Sequence, residues 1–485
     1  MISAASAEAG RLNRIYFMGV SGIAMGTLAC MLKDEGYDVL GSDTNVYPPM
    51  SAFLEKKSIP VLPGWNPQNL VATRPDAVVV GNVIRKDNPE VSQAQALGVP
   101  VLSMPQALDR FFMHSRKSLV VCGTHGKTTT TGLLGWLLES AGLDPTVFVG
   151  GFVKGWGRSY RIGRGPFMVL EGDEYDTAFF DKQPKFLRYK PWIAVVTSIE
   201  FDHADIYRDV EHVTDAFRAL SRIVPHDGFL IVNGDDPRCL DIARSCPARV
   251  ITYGTSARCL WRLEETGVAE GKTCLRVVSP DGKSHLLSSP LPGRHNALNA
   301  VAAVAACRLV GLPMEPLQAA VAGFSGMKRR QEVIYDEDGV LVLDDFAHHP
   351  TAVRETLKAI RTFHPGRRLL AVFEPRTNSS RRRFFQKDYA GAFRDAHWVG
   401  IKEPAGFHTI PLEERLDTVQ LVQDIRNEGI PAHLFQEGEA VVPSLLSEVR
   451  HGDVVVLMSN GSMDALPTRL CEALRGQCQR EPDPA

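Results

Sequence analysis

The sequence predicts an α/β protein with three domains in series. Its length of 485 residues exceeds one ordinary domain. Short apolar runs recur along it, each closing on a turn that leads into apolar residues at helical spacing. No short-period repeat and no low-complexity tract interrupts that alternation.

Arg14–Met18 reads as a buried strand, Gly19-Val-Ser-Gly22 as a tight turn, and Ile23–Glu35 as a helix ended by Gly36. Val39-Leu40 is a second strand closing on Gly41-Ser42-Asp43, which completes a βαβ unit. Strand signals at Ala77–Val80 and Val99–Leu102 finish a doubly wound domain over residues 1–115. His114–Lys117 reads as a linker.

In residues 116–326, Ser118–Cys122 is a strand and Thr128–Ala141 a helix. Further strands are expected at Phe167–Leu170, Ile193–Thr197 and Phe229–Val232. The looser alternation over Val250–Ser289 predicts antiparallel strands beside the main sheet. Pro292–Ala297 opens an Ala-rich helix ending near Gly311. In residues 327–485, strands are expected at Val340–Leu343, Arg368–Phe373 and Val454–Met458. Thr351–Thr362 is a helix, and Ser459-Asn-Gly461 turns into a last one.

Hydrophobic residues make up 44%, charged residues 23%, and the net charge is -2. That gives no global basic field for nucleic acid. No apolar run has the length of a membrane helix, and Met1–Arg14 lacks the apolar segment of a secretory signal. The nine cysteines show no C-x-x-C spacing, which predicts reduced thiols rather than a disulfide framework or zinc site. A cytoplasmic protein without membrane insertion is expected. Cys122 reads as a small buried strand residue.

Gly123-Thr124-His125-Gly126-Lys127-Thr128-Thr129 has the chemistry of a phosphate loop. Glycines let backbone N–H groups converge on anionic oxygens, a lysine reaches the terminal phosphates, and a hydroxyl ligates magnesium. A strand before the loop and a helix after it aim the positive helix end at the same spot. ATP is therefore the expected cofactor. Two acidic clusters follow apolar strands: Glu171-Gly-Asp173-Glu174-Tyr-Asp176 and Glu200-Phe-Asp202-His203-Ala-Asp205. Each alone reads equally as a solvated turn. Two at one sheet edge favour a Mg2+ site.

These motifs, with Gly293-Arg-His-Asn-Ala-Leu-Asn299 and Asp344-Asp-Phe-Ala-His-His-Pro350, resemble in order those of the Mur ligase family. That family makes amide bonds in bacterial cell-wall precursors, and the resemblance covers nearly the whole chain. It implies an N-terminal Rossmann-like domain for UDP-N-acetylmuramate and a central P-loop ATPase sheet. It also implies a C-terminal Rossmann-like domain that closes on ATP and binds an incoming peptide. Within the family, Gly41–Ser51, Glu174–Lys182, Glu200–Asp205 and Glu374-Pro-Arg-Thr-Asn378 are similar to the branch that joins a recycled tripeptide to UDP-N-acetylmuramate. The alternative is the branch that adds a single L-alanine. Both imply a monomer or homodimer.

The resemblance implies that Lys127 binds the β- and γ-phosphates and that Thr128, Glu171 and His203 ligate magnesium. His295, Asn296 and Asn299 would surround adenine, with Asp345 and His348 on the far side of the cleft. Arg330 would reach the γ-phosphate, and Gly19, Ser21, Gly22 and Met25 would hold the UDP-sugar. His348 is the candidate base for the attacking amine, although His348 or His349 reads equally as a packed loop histidine. Arg376 and Arg381-Arg-Arg383 suit an acceptor's carboxylates; a solvated helix face is the other reading.

Two features depart from the family pattern. Ser462 stands where a glycine is expected, and no lysine lies between His203 and Val224 to serve as a carbamylated metal ligand. Two further readings stay open. Asp43 would suit a ribose hydroxyl in a nicotinamide enzyme. The phosphate loop would also suit a module that converts ATP binding into motion.

Overall fold

The computed structural model describes residues 12–46 and 50–478. Tyr47, Pro48 and Pro49 of the Gly41–Ser51 motif, and residues 1–11 of the start, lie outside the described residues.

Three sheets organise the chain. The first is five-stranded and wholly parallel, in the order 61–63, 38–43, 14–18, 77–80, 101–103. Its order reverses beside Arg14–Met18, so the crevice at a doubly wound sheet's switch point opens over the Gly19 turn. Ile23–Asp34 forms the expected helix, one residue shorter than its sequence signal, and buries Leu28 through Leu32.

The second sheet has ten strands. Lys117–Cys122 lies between Pro191–Val196 and Phe167–Gly172, parallel to both. The phosphate loop and both acidic clusters therefore leave the same sheet edge from adjacent strands. Antiparallel pairing is found over residues 261–289 as expected, but the first strand and the placement need correction. Arg249–Gly254 pairs parallel with both neighbours, and Trp261–Ala269, Lys272–Val278 and Ser284–Ser289 extend the main sheet itself. Burial explains why: Trp261, Leu263, Leu275 and Val277 join the core packed by the Ala-rich helix Arg294–Leu309.

The third sheet runs 332–337, 340–345, 454–458, 369–373, 398–402, 432–435. Inserting Val454–Met458 between Val340–Asp345 and Leu369–Phe373 places a second switch point there. The last turn differs from the expected direct entry into a helix. Met463, Asp464 and Ala465 adopt positive φ of 51°, 54° and 57° before Leu466–Cys478 begins. Among the described residues no helix is long and apolar enough to cross a membrane.

Candidate active site

The phosphate loop is fixed by contacts that admit only glycine at two positions. Gly123 has φ of 128°, and a Cβ there would stand 2.1 Å from Thr197 Oγ1. Gly126 has φ of 79°, and its Cβ would meet Asn299 Oδ1 at 2.6 Å. Thr124 Oγ1 accepts from Glu200 N at 2.8 Å, tying the loop to the second acidic cluster. The helix Lys127–Ser140 has no side-chain cap, so its first N–H groups converge where an anion would sit. Thr129 is buried in that first turn.

Lys127 Nζ donates to Gly123 O at 2.7 Å and to Glu174 Oε2 at 2.8 Å. Glu174 is nearly inaccessible, and His203 Nε2 lies 3.3 Å from its other oxygen. Burial pushes the Glu174 carboxyl up, but Lys127 and then His203 outweigh it and hold it at about 2. The same contact outweighs burial at His203 and raises that imidazole to about 9. Thr128 Oγ1 donates to Glu171 Oε1 at 2.7 Å, and Gly150 N to Glu171 Oε2 at 2.6 Å. Burial, then the Asp173 charge, raises the Glu171 pKa. Glu174 is the residue that the single-position assignments passed over. Its acidic cluster was the available signal, but only the fold shows that it bridges Lys127 and His203.

Arg330 comes from the far side of the cleft. Its Nη2 donates to Thr128 Oγ1 at 3.4 Å, and its guanidinium lies 4.7 Å from the Phe346 ring centre. Arg329 and Gln331 on either side have positive φ of 57° and 49°. Side chains are rarely tolerated there, so surrounding contacts must hold them. Asp345 Oδ2 accepts from Gln331 N at 2.8 Å, and Phe346 N donates to Arg329 O.

Several of the expected ligand residues also bond within the protein. Asp345 is buried, and Ala347 N occupies its other oxygen, so it shapes the cleft's backbone. Asp43 is likewise buried, accepting from Ser21 N at 2.8 Å and Asn45 N at 3.1 Å. It closes the Gly19 turn. Met25 is core, packed near Gly81, and Gly22 begins its helix. Asn299 lies under the phosphate loop at Gly126, and its Nδ2 donates to Asn296 Oδ1 at 3.3 Å. Cys122 is a buried strand residue whose thiol pKa is raised by burial.

Other polar atoms stay without partners. Among buried side-chain atoms these include Ser21 Oγ, His295 Nδ1, Gln331 Nε2 and Asn460 Oδ1. Buried polar atoms are normally satisfied, so a group of them along one cleft fits a bound ligand. His295 is half-buried, and desolvation lowers its pKa and favours the neutral ring.

The two adjacent histidines divide their work. His349 caps the helix Pro350–Phe363 by accepting from Thr351 N at 3.2 Å. Its Nε2 faces Phe201 O at 3.2 Å across the domain boundary. His348 Nδ1 lies 3.1 Å from Phe346 O, a carbonyl that can only accept. Its Nε2 lies 3.7 Å from Asp202 Oδ2.

Burial, then His125, lowers the His349 pKa from 6.5 to about 4 against the raising effect of Asp202 and Glu200. A depressed histidine contributes stability fully present above its unfolded value and lost as pH falls through its folded value. We expect wild-type stability to fall between pH 6.5 and 4 with an excess slope approaching about 1.4 kcal/mol per pH unit. His349→Asn keeps a capping oxygen and removes the titration. Denaturant melts across that range should show a flatter profile for the variant; parallel profiles would refute the assignment.

Family models match three consecutive stretches. "Mur ligase family, catalytic domain" matches residues 14–116, "Mur ligase middle domain" 121–307, and "Mur ligase, glutamate ligase domain" 329–461. The Haemophilus influenzae UDP-N-acetylmuramate–L-alanyl-gamma-D-glutamyl-meso-2,6-diaminoheptandioate ligase is 35% identical, over 96% of this chain and 100% of its own. A UDP-N-acetylmuramate–L-alanine ligase of Acetivibrio thermocellus is 32% identical over 94% and 95%. The crystal structure of a murein peptide ligase from Psychrobacter arcticus superposes with a TM-score of 0.72 at 30% identity, covering 95% of this chain and 98% of that one. Three matched models in order, a phosphate loop flanked by carboxylates, and full-length relatives at this identity lead to one conclusion: the chain belongs to the Mur ligase family of ATP-dependent amide-bond ligases.

Proposed function

We propose that the chain joins the tripeptide L-Ala-γ-D-Glu-meso-diaminopimelate to UDP-N-acetylmuramate, in peptidoglycan recycling. The observation that carries the choice of acceptor is a pair of guanidinium groups beside the cleft. Arg376 has its nearest carboxylate, Glu374, at 3.9 Å, and Arg381 Nε is buried without a partner. Two such groups suit an acceptor rich in carboxylates. Arg382 instead pairs with Glu414 on the surface.

In this reading residues 1–115 hold the UDP-sugar through the Gly19–Gly22 turn and Ser21. Residues 116–326 hold ATP, and residues 327–485 bring Arg330 and the peptide site. Thr128, Glu171 and His203 would hold Mg2+ with Glu174 beside them, the hydroxyl and carboxylates supplying the oxygen ligands that it prefers. The crowding that raises Glu171 is what a cation would relieve. Bound there, Mg2+ would neutralise phosphate charge.

A sugar carboxylate does not condense with an amine in water, because its oxygen is a poor leaving group. ATP converts it to an acyl phosphate, and the acceptor amine then displaces phosphate. Lys127 and Arg330 neutralise the charge spread over the phosphoryl oxygens. His348 Nε2 takes the amine proton. Closure of residues 327–485 over the cleft would exclude water around the acyl phosphate.

An acceptor panel tests the assignment: L-alanine, tripeptide, tetrapeptide and pentapeptide, each with UDP-N-acetylmuramate and magnesium-ATP. Phosphate release should be strong with the tripeptide. Strong turnover with L-alanine and none with tripeptide would give the function to the single-alanine reaction instead.

A further inference from the structure

Three strands of the C-terminal sheet, Leu369–Phe373, Trp398–Lys402 and Val454–Met458, end side by side. Their ends carry an ion network that takes no part in phosphate binding. Glu374 is fully buried. Its Oε1 accepts from Lys402 Nζ at 3.0 Å, and its Oε2 from Ser459 Oγ at 2.6 Å. The Lys402 side chain is 6% exposed and has a second partner, Asp464, at 2.7 Å. Burying a charge pair gives little net stability against an apolar replacement, so stability is a weak reason for this one.

Arg376 lies beside the pair. Its Nη1 is 3.9 Å from Glu374 Oε2, beyond hydrogen-bond reach, and its side chain is 40% exposed. It packs across Gly461, where a Cβ would stand 2.3 Å from Arg376 Cδ. The loops around it reach the catalytic cleft directly. Arg329 Nη2 donates to Ser459 O and Gly461 O, both at 2.6 Å, one residue before Arg330. Ser379 Oγ accepts from Ala204 N at 3.1 Å, and Asn378 Nδ2 donates to Asp205 at 3.3 Å, next to His203.

We propose that Lys402 is a positioning residue: by occupying Glu374 it leaves the Arg376 guanidinium free to receive a carboxylate of the incoming peptide. The inference rests on the acceptor reading above. Glu374 has two oxygens and two donors, Lys402 and Ser459. Without the ammonium, the nearest guanidinium to this buried carboxylate is Arg376. A charge-assisted pair between them would withdraw Arg376 from the acceptor.

Steady-state kinetics of wild type, Lys402→Met and Lys402→Met/Glu374→Gln test this, with thermal melts on each. Lys402→Met should raise the tripeptide KM at least about tenfold while the ATP KM stays within about twofold. The double variant removes the captor as well and should return the tripeptide KM to within about threefold of wild type. An unchanged tripeptide KM, equal rises in both KM values, or a double variant no better than Lys402→Met overturns the proposal. If Lys402→Met does not fold, Ser459→Ala and Ser459→Ala/Glu374→Gln decide by the same comparison. Ser459→Ala frees the Oε2 nearest Arg376 but also loses the bond from Gly461 N, so relief by Glu374→Gln is the deciding readout. Wild type is assayed with the peptide first. Failure at that step refutes the acceptor reading, whereas a competent wild type with failing variants refutes only the role of Lys402.

Discussion

Lys127→Met lowers kcat/KM for ligation by about 10³-fold, the scale expected when a fixed charge facing a transferring phosphoryl group is removed. The structure adds a second consequence. Lys127 is the main counter-charge of Glu174, whose side chain is 3% exposed. Taking one partner from a buried pair costs about 3 kcal/mol, because the remaining charge stays desolvated. The variant should therefore melt at a lower temperature as well as lose activity. Adding Glu174→Gln should recover most of the stability and none of the activity. Phosphate release with UDP-N-acetylmuramate and acceptor, beside thermal melts, separates the two effects. Activity within tenfold of wild type would remove Lys127 from the phosphoryl site.

Arg330→Met should lower kcat by about 10²-fold while ATP affinity changes less than about threefold. The asymmetry follows from where Arg330 comes from. It reaches Thr128 Oγ1 from the opposite side of the cleft, on a backbone held in strain at Arg329 and Gln331. ATP contacts made by the loop itself, through Gly123, Gly126 and Lys127, do not depend on it. Equilibrium binding of an ATP analogue and single-turnover phosphate release measure the two quantities separately. Loss of ATP affinity equal to the loss of rate would mean that Arg330 belongs to the ground-state site.

Much of the site was legible in order along the chain. The phosphate loop and both acidic clusters each lie in a local pattern with its own chemistry, whereas Asn296 and Arg330 were placed only by the family resemblance. Their convergence was partly legible as well, since carboxylates that follow consecutive parallel strands must share one sheet edge. The structure adds internal partners where a residue's type suits two tasks. Asp43 and Asp345 carry carboxylates fit for a ligand, yet both serve backbone amides. Met25 stands at the turn but faces inward. Residues 250–289 alternate as antiparallel edge strands do, and the helix packed over them makes them part of the central sheet.

The phosphate-loop pattern, the two acidic clusters and the α/β order of the chain are properties of local spacing, and the sequence by itself determined them. Only the tertiary structure decided which donors and acceptors are already used. Glu174 joins Lys127 to His203, His349 caps a helix while His348 Nε2 faces Asp202, and Lys402 donates to Glu374. These are pairings between residues far apart in the chain. A side chain's type gives its charge and its donors, but its role depends on whether a distant partner has already satisfied them.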